Sequence, residues 1–318
     1  MALLNLANNI YPKSSATHVV NVKHLLTGKE LSAADIENIL CLADNMKRNP
    51  SNYQNTLEKK VLAMIFEKPS FRTRLSFNLA IETLGGIAVE SISNTRKTEE
   101  PKDFIRVLNG YCDFVMIRTH ADKQLQEMAQ YATIPIINGL TALYHPCQIL
   151  ADLLTLKEHF GKLNELTLAY IGDGNNILHS LLIMAPRVGI TIHYCCPKGH
   201  EPDATILSES KKLFPDQIHC FTTPALAVQN VQAVYTDVWV SMGFEGQTSQ
   251  SNFANFQVNE ALMGQAKPEA VFMHCMPMER GKEVSTTLPD SSQSIIFKQS
   301  ENRLHIQKAI LLFLKSFY

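Results

Sequence analysis

The sequence predicts an α/β fold with two domains, each with a central, mainly parallel sheet flanked by helices. Three observations predict it. Short apolar runs alternate with stretches of helical periodicity, and this order recurs twice along the chain. Most of the runs are continuously apolar, which is typical of strands buried on both faces of a parallel sheet. The chain has 318 residues, of which 45% are hydrophobic, and this is enough for two cores.

Nine short apolar runs are predicted to be strands. Those in the first half are Val61–Phe66, Ile87–Ser91, Phe114–Ile117 and Ile134–Ile137. Those in the second half are Leu166–Ile171, Thr191–Cys195, Ile218–Phe221, Ala233–Tyr235 and Ala270–Met273. Because ligands bind outside the carboxyl ends of strands in such sheets, a motif that directly follows a strand is a candidate for the functional site.

Helices are predicted between the strands from apolar periodicity and from residues that start or stop helices. A capping box at Ser32–Asp35 precedes the first helix. The others cover Ser70–Leu84, Pro101–Gly110, Pro146–Phe160, Asn175–Gly189 and Glu301–Leu314. Pro186 is expected to kink or shorten the helix that contains it. The domain boundary is expected in or near Pro146–Phe160.

Composition excludes several classes of function. The chain has 29 basic and 30 acidic residues and a net charge of −1, so no overall field favours nucleic acid or an anionic membrane. No apolar run approaches membrane-spanning length, and Met1–His18 lacks the layout of a secretory signal. The seven cysteines show neither CxxC pairs nor metal-type spacing, so we expect reduced thiols, a cytoplasmic location and no metal.

An anion site is predicted at the start of the second helix. Ser70, Phe71, Arg72, Thr73 and Arg74 follow the first strand and open this helix. Free main-chain N–H groups and the positive end of a helix favour a phosphate, to which arginine adds charge-assisted hydrogen bonds. A capped helix with solvated arginines is the alternative, and spacing alone favours neither.

Two further motifs in the first half lie near strand ends. Arg118 follows the third strand, and the sequence His145-Pro146-Cys147-Gln148 opens a helix. His145 and Gln148 are expected to face one ligand, and a histidine there can stabilise a developing oxyanion. A surface ion pair for Arg118 and a helix-capping role for His145 are the alternatives.

The stretch Gly172–Asn176 follows the first strand of the second half and superficially resembles a dinucleotide-binding loop. That motif needs glycine where Ile177 stands, and no acid follows the next strand near Cys195. A nucleotide-dependent dehydrogenase is therefore a weak alternative. The asparagines, including Asn176, can instead bind a polar head group or cap the helix.

Three candidates come from the last part of the chain. Asp237 follows the eighth strand and can bind an amine, and the polar stretch Gly243–Asn255 is typical of a mobile lid. Cys275 follows the ninth strand in the sequence His-Cys-Met-Pro and can be a reactive thiol, although a buried cysteine is more common. Arg303, near the start of the last helix, can reach an anion.

In this order the motifs closely resemble the aspartate/ornithine carbamoyltransferase family, over about residues 18–316. The family's phosphate motif, Ser-x-Arg-Thr-Arg, is met at Ser70–Arg74. Its arginine, His-Pro-x-Gln, His-Cys-x-Pro and late-arginine motifs are met at Arg118, His145–Gln148, His274–Pro277 and Arg303. The ornithine branch is matched by the Ser-Met-Gly within Asp237–Gly243 and by Asn176.

The resemblance implies a reaction and an architecture. The reaction is carbamoyl transfer from carbamoyl phosphate to the δ-amine of ornithine, giving citrulline, without a cofactor. The architecture is a carbamoyl-phosphate domain (residues 1–147), an ornithine domain (148–301) and a last helix (302–318) that packs back on the first domain. The resemblance also implies a homotrimer or a multiple of trimers, with sites at the subunit interfaces, that works in arginine biosynthesis or citrulline breakdown.

The resemblance further implies roles for individual residues. The carbamoyl-phosphate site would comprise Ser70, Phe71, Arg72, Thr73, Arg118, His145, Gln148, Cys275, Met276 and Arg303. The ornithine site would comprise Asn176, Asp237, Ser241 and Met242. The catalytic residues would be Arg118, His145, Asp237 and Cys275. Of these, Asp237 and Cys275 would orient the amine, and Cys275 would assist its deprotonation.

The sequence departs from the family pattern at three places. Phe71 stands where the ornithine branch commonly has threonine, and we expect it to contribute its main-chain N–H. An apolar residue also occurs there in acetylated-ornithine relatives, which keeps N-acetylornithine open as the acceptor. The loop Ser93–Pro101 is short and lacks the usual glutamine, for which Asn94 or Lys97 could substitute. Met276 replaces a common leucine. The alternatives are another acceptor (N-acetylornithine, putrescine or aspartate) and a carrier that binds carbamoyl phosphate without turnover.

Overall fold

The first half of the chain folds around a parallel sheet. The computed structural model describes residues 23–67, 70–92, 99–240 and 250–317. In these residues the first sheet contains β1 (Val61–Phe66), β2 (Ile87–Ile92), β3 (Phe114–Arg118) and β4 (Ile136–Leu140). The strands lie in the order β2-β1-β3-β4, and every pairing is parallel.

The second half folds around another parallel sheet. Its strands are β5 (Thr167–Ile171), β6 (Thr191–Cys195), β7 (Ile218–Cys220), β8 (Ala233–Thr236) and β9 (Val271–His274). They lie in the order β7-β6-β5-β8-β9, again with parallel pairings. The predicted two-domain α/β fold with parallel sheets is confirmed.

The predicted strands are all present, and β4 differs most from its prediction. It was expected at Ile134–Ile137, whereas the observed strand starts at Ile136 and ends at Leu140. Pairing with β3 explains the shift, because Val115 pairs with Ile136 and Arg118 pairs with Leu140, while Leu25 exchanges main-chain hydrogen bonds with β4 on its other side. Main-chain pairing thus continues the strand past the apolar run.

Helices surround both sheets. In the first half they are α1 (Ala33–Arg48), α2 (Phe71–Thr83), α3 (Pro101–Leu108), α4 (Asp122–Tyr131) and α5 (Pro146–Phe160). In the second half they are α6 (Asn176–Met184), α7 (Ala204–Leu213), α8 (Pro224–Ala227), α9 (Glu260–Met263) and α10 (Ile296–Lys315). None of the helices in the described residues is both long enough and apolar enough to cross a membrane.

The predicted helix ends are largely confirmed. Ser32 and Asp35 form the expected capping box at α1, and α5 stops at Gly161, whose φ of +78° is left-handed. Helix α6 ends at Met184, and Pro186 begins a short 3-10 turn. Helix α10 starts at Ile296, earlier than the predicted Glu301, because its first turn is held by burial of side chains against the second half.

Helices α5 and α10 join the two halves of the molecule. Every residue of α5 from Pro146 to Leu156 is buried, as expected for a helix enclosed on all sides. Helix α10 packs against α1, α2 and α5 and also touches β9 of the second sheet. Residues on these two helices can therefore contact both halves at once. The divisions at 147/148 and 301/302 stay predictions.

Candidate active site

Both sheets bring the candidate residues to the point where their strand order reverses. In the first sheet β1 lies between β2 and β3, and in the second β5 lies between β6 and β8. At such a point the connections of neighbouring strands run to opposite sides of the sheet, and this opens a crevice outside the carboxyl ends of the strands. Helix α2 opens after β1 and Arg118 ends β3, while Gly172 follows β5 and Asp237 follows β8.

The first half of the site is a pocket built around Thr73 at the start of α2. Its Oγ1 accepts hydrogen bonds from Ser70 Oγ at 3.0 Å, from Arg118 Nη1 at 3.4 Å and from Arg303 Nη2 at 2.9 Å. The first hydrogen bond within α2 is donated by Arg74 to the Ser70 carbonyl. The earlier main-chain N–H groups of α2 therefore point out of its N-terminus, as an anion site requires.

This pocket concentrates positive charge without a neutralising carboxylate. Among the described residues, neither Arg118 nor Arg303 pairs with an acid, and the Nε of each is buried without a partner. Burial, and then the charges of Arg303 and Arg72, lower the pKa of Arg118 to about 10. Burial also lowers the pKa of Arg303. A bound anion would relieve this repulsion, so the pocket is organised for a phosphate-like group.

His145 and Gln148 border the pocket from α5. The main-chain N–H of His145 donates to Ser180 Oγ at 2.8 Å, and its buried Nδ1 has no hydrogen-bond partner among the described residues. Burial, then the charges of Arg303 and Arg118, hold the pKa of His145 well below its ordinary value. The imidazole is therefore neutral and can donate one hydrogen bond. Gln148 Oε1 accepts from Arg303 Nη1 at 2.6 Å.

The second half of the site is a carboxylate paired with a thiol. Asp237 is buried, and its Oδ1 accepts a hydrogen bond from Cys275 Sγ at 3.0 Å. Burial, followed by the charge and hydrogen bond of Asp237, raises the pKa of Cys275 well above its ordinary value. Cys275 is thus a protonated donor at neutral pH. Asp237 provides an anion against which an ammonium group can be placed.

Two neighbouring asparagines have different partners. Asn175 caps α6 with its Oδ1, and its Nδ2 donates to Asp237 Oδ2 at 2.7 Å. Asn176 instead donates from Nδ2 to the Thr141 carbonyl of the first half at 2.9 Å. Asn175 therefore orients the carboxylate, whereas Asn176 lies where the two halves meet.

Two family descriptions match nearly the whole described chain. Residues 23–158 match "Aspartate/ornithine carbamoyltransferase, carbamoyl-P binding domain", and residues 164–314 match "Aspartate/ornithine carbamoyltransferase, Asp/Orn binding domain". The chain belongs to the aspartate/ornithine carbamoyltransferase family. The resemblance seen in the motifs is thereby confirmed.

Members of this family are similar to the chain over almost its full length. The ornithine carbamoyltransferase of Anoxybacillus flavithermus is 45% identical over 308 residues, 94% of this chain and 98% of that protein. The solved ornithine carbamoyltransferase from Pyrococcus furiosus has a TM-score of 0.86 at 39% identity, covering 91% of this chain and 96% of that one. The anabolic enzyme from Campylobacter jejuni has a TM-score of 0.86 at 37% identity, covering 92% and 99%.

The structure brings most of the residues predicted by the family motifs to one crevice. Met276 lies beside Cys275 with a positive φ of 58°, and its N–H donates to His274 Nδ1 at 2.9 Å. The side chain of Phe71 is 75% exposed. Ser241, Met242, most of the predicted lid and residues 93–98 lie outside the described residues. The roles assigned to individual family positions stay predictions.

Several residues of the site were missed by motif analysis. They are a buried group made of Asp152, Tyr235 and Gln299. The helix cap at Asn175 was among the sequence-based alternatives, but its hydrogen bond to Asp237 was not. A signal for Asp152 existed, because an acid in a helix whose neighbours are all buried is unusual unless it has partners. Its partners come from β8 and α10, so they could not be found from spacing along the chain.

A small cluster of possible metal ligands also occurs here. The ligand atoms of Asp237, His274 and Cys275 lie within 4.8 Å of one another. Both ring nitrogens of His274 already have partners, since Nδ1 accepts from Met276 N–H and Nε2 lies 3.2 Å from Glu283 Oε1. The arrangement is that of a hydrogen-bonded network. The sequence-based expectation of no metal stays a prediction.

Asp152 is expected to make the stability of the protein depend on pH. Burial raises the pKa of its carboxyl from 3.8 to about 7, although hydrogen bonds from Gln148, Gln299 and Tyr235 lower it. Between these two values the folded protein holds a proton that the unfolded chain has released. The free energy of unfolding should therefore fall as the pH rises through this window.

Urea unfolding at pH 5 and pH 8 measures this effect, with Asp152→Asn as the comparison. An amide does not titrate, so the decrease between the two pH values should be smaller in the variant than in the native protein. Equal decreases in both proteins would contradict the prediction.

Proposed function

We propose that this chain transfers the carbamoyl group of carbamoyl phosphate to the δ-amine of L-ornithine, releasing L-citrulline and phosphate. Two features of one crevice carry the proposal. One is the pocket of Arg118 and Arg303, whose charges are not neutralised by a carboxylate among the described residues, and the other is the hydrogen-bonded pair of Asp237 and Cys275. The first suits a phosphate and the second suits an amine. Relatives that are 45% identical over nearly the whole chain are named ornithine carbamoyltransferases, which supports this choice.

Carbamoyl phosphate would bind at the N-terminus of α2. Ser70, Arg72 and Thr73 would hold the phosphate, together with the main-chain N–H of Phe71. Arg118 and Arg303 would add charge from β3 and α10. The exposed position of the Phe71 side chain supports a contribution from its main chain alone. Met276 and Cys275 would border the carbamoyl end.

The carbamoyl group would be polarised by Arg118, His145 and Gln148. Neutral His145 and cationic Arg118 are donors, so both can stabilise the oxyanion that develops on the carbonyl oxygen. Gln148 Oε1 is an acceptor and can hold the carbamoyl NH2. Because these groups are buried and held by hydrogen bonds, they need little reorganisation during the reaction.

The amine must be neutral to attack the carbonyl carbon. Asp237 would attract the δ-ammonium, and Cys275 would orient it and assist the loss of its proton. The new C–N bond forms as the C–O bond to phosphate breaks, and the departing phosphate takes up the released proton. Asn176, Ser241 and Met242 would hold the amino-acid end of ornithine.

Citrulline formation from carbamoyl phosphate and L-ornithine tests the proposal. Putrescine, N-acetylornithine and L-aspartate at the same concentration are the controls for acceptor choice. We expect turnover with ornithine to exceed that with each control by at least about a hundredfold, since an unpaired buried polar group discriminates strongly. Carbamoyl-phosphate-dependent turnover with another amine alone would overturn the acceptor, and no turnover with any amine would overturn the reaction.

We also propose that the chain forms a homotrimer or a multiple of trimers. An apolar stripe of five exposed side chains on neighbouring elements supports an interface with other copies. The stripe comprises Phe71, Leu75 and Leu79 on α2 and Ile87 and Val89 on the edge strand β2. It adjoins the phosphate pocket, so a site shared between subunits would form there. The cytoplasmic location and the role in arginine biosynthesis remain proposals from the sequence.

A charged substitution in this stripe tests the assembly. Leu75→Glu with Leu79→Glu should reduce the sedimentation mass from trimer to monomer, because two carboxylates would be buried without partners. Leu213→Glu, at an exposed leucine of α7, is the matched control and should leave the mass unchanged. A monomeric native protein, or a trimeric double variant, would contradict the proposal.

A further inference from the structure

A buried carboxylate that is not part of the motifs named above lies behind the candidate site. Asp152 on α5 is fully buried and accepts three hydrogen bonds. Gln148 Nε2 and Gln299 Nε2 donate to its Oδ1 at 2.8 and 2.7 Å, and Tyr235 OH donates to its Oδ2 at 3.0 Å. We refer to Gln148, Asp152, Tyr235 and Gln299 as the Asp152 network.

Each member of the network lies next to a reacting part of the site. Gln148 accepts from Arg303, which also holds Thr73 in the phosphate pocket. Gln299 Oε1 accepts the main-chain N–H of His274, the residue before Cys275, at 3.0 Å. Tyr235 lies on β8, two residues before Asp237, which directly follows this strand. The network thus connects α5, α10, β8 and β9.

The carboxylate form of Asp152, which predominates above its pKa of about 7, determines how the two amides point. Gln148 lies between the guanidinium of Arg303, which only donates, and Asp152, which as an anion only accepts. Its oxygen must therefore face Arg303 and its nitrogen must face Asp152. Gln299 is constrained in the same way between the N–H of His274 and Asp152. A neutral group at position 152 would remove this constraint from both amides.

We propose that Asp152 is a positioning residue for carbamoyl transfer, whose carboxylate orients Gln148 toward the carbamoyl group and holds the Asp237 and Cys275 strands in place. This proposal rests on the proposed function, since it assigns Gln148 to the carbamoyl group. Asp152 touches neither substrate and acts through its three donors. A buried carboxylate is destabilising unless its hydrogen bonds are complete, and here both of its oxygens are used.

The isosteric variant Asp152→Asn is the main test. Asparagine has one acceptor oxygen and an NH2 group, so either the Tyr235 hydroxyl must turn from donor to acceptor or the two glutamine amides lose their acceptor. We expect kcat to fall about tenfold to a hundredfold, as for one buried hydrogen bond lost in the transition state, while KM for ornithine changes by less than about threefold. Circular dichroism would establish that the variant is folded.

Thr155→Val is the matched control one turn further along α5. Thr155 Oγ1 accepts from Asn302 Nδ2 at 2.9 Å and so also joins α5 to α10, but it does not contact the Asp152 network. It should lower the melting temperature and leave kcat and both KM values within about twofold. A loss of kcat in Asp152→Asn that Thr155→Val does not share would separate positioning from stability alone.

Tyr235→Phe keeps the proposal testable if Asp152→Asn does not fold. It removes one donor and leaves the carboxylate intact, so we expect kcat to fall about threefold to tenfold. A folded Asp152→Asn or Tyr235→Phe with native kcat and KM values would overturn the proposal.

The failure of the proposed function would give a different result. If the native protein makes no citrulline, the positioning effect is measured by calorimetry with carbamoyl phosphate. Its affinity should be weaker in Asp152→Asn than in Thr155→Val, and equal affinities would overturn the role of Asp152.

Discussion

Replacing Asp237 by asparagine is expected to lower kcat/KM for ornithine by roughly a thousandfold, the effect of removing one member of a buried charged pair. The carboxylate accepts from Cys275 and from Asn175 through separate oxygens, and asparagine can satisfy only one of these donors. It also lacks the charge that attracts the δ-ammonium. Steady-state citrulline formation as a function of ornithine concentration measures the loss.

Asp203→Asn is a suitable control for this variant. Asp203 caps α7 by accepting from the main-chain N–H groups of Thr205 and Ile206, outside the residues of the crevice. Asparagine caps helices as well as aspartate does, so activity should be unchanged. If Asp237→Asn retained native kcat/KM for ornithine, Asp237 would not be the amine-binding anion.

Replacing Arg118 by glutamine is expected to change activity and stability in opposite directions. We expect kcat/KM for carbamoyl phosphate to fall by roughly a hundredfold to a thousandfold, because charge-assisted hydrogen bonds to the substrate are lost. The ligand-free protein should become more stable. Arg118 is buried beside Arg303 and Arg72, and its lowered pKa shows that the folded state disfavours its charge. Kinetics and thermal unfolding without phosphate measure the two effects.

Arg106→Gln separates the pocket from the general loss of an arginine. Arg106 is an exposed residue of α3 that pairs with Asp103 at 3.4 Å and lies over the Tyr131 ring at 4.6 Å. Exposed contacts of this kind contribute little, so both kinetics and stability should remain near native. If Arg118→Gln were less stable than the native protein, the repulsion between Arg118 and the neighbouring arginines would not destabilise the ligand-free protein as proposed. Unchanged carbamoyl-phosphate kinetics would contradict the placement of Arg118.

The state of Cys275 refines its predicted part in deprotonation. Burial and the charge of Asp237 raise the pKa of the thiol, so a thiolate base at neutral pH is disfavoured. As an S–H donor, Cys275 holds Asp237 Oδ1 in a defined position. We therefore expect Cys275 to assist by orienting the carboxylate and the amine, with Asp237 as the group that attracts the ammonium.

Local pattern alone was sufficient for the main elements of the fold. Continuous apolar runs such as Val61–Phe66 and Thr191–Cys195 became buried parallel strands, since such runs are stable only when both faces are covered. Gly161 and Pro186 ended helices because their backbone constraints act locally. The start of α10 was misplaced, because its first turn is stabilised by burial against another part of the chain.

Ordered motifs were also sufficient to find the family and the residues at the strand ends. Each of three motifs lies at or after the end of a strand of the first sheet: Ser70–Arg74 after β1, Arg118 at the end of β3, and the His-Pro-x-Gln sequence after β4. Because ligands bind at the carboxyl ends of parallel strands, this position alone predicts that the motifs lie together. Their chemical identity was enough to indicate a phosphate and an oxyanion.

Only the tertiary structure decided which of these groups touch. Arg303 reaches Thr73 from 230 positions away along the chain, and Asn175, rather than its neighbour Asn176, holds Asp237. Asp152 belongs to none of the motifs identified in the sequence, and its proposed positioning role depends on hydrogen-bond donors from β8 and α10. Sequence determined which residues are available and which strand ends they follow. The hydrogen bonds between them depend on the packing of distant elements in three dimensions, which no spacing along the chain encodes.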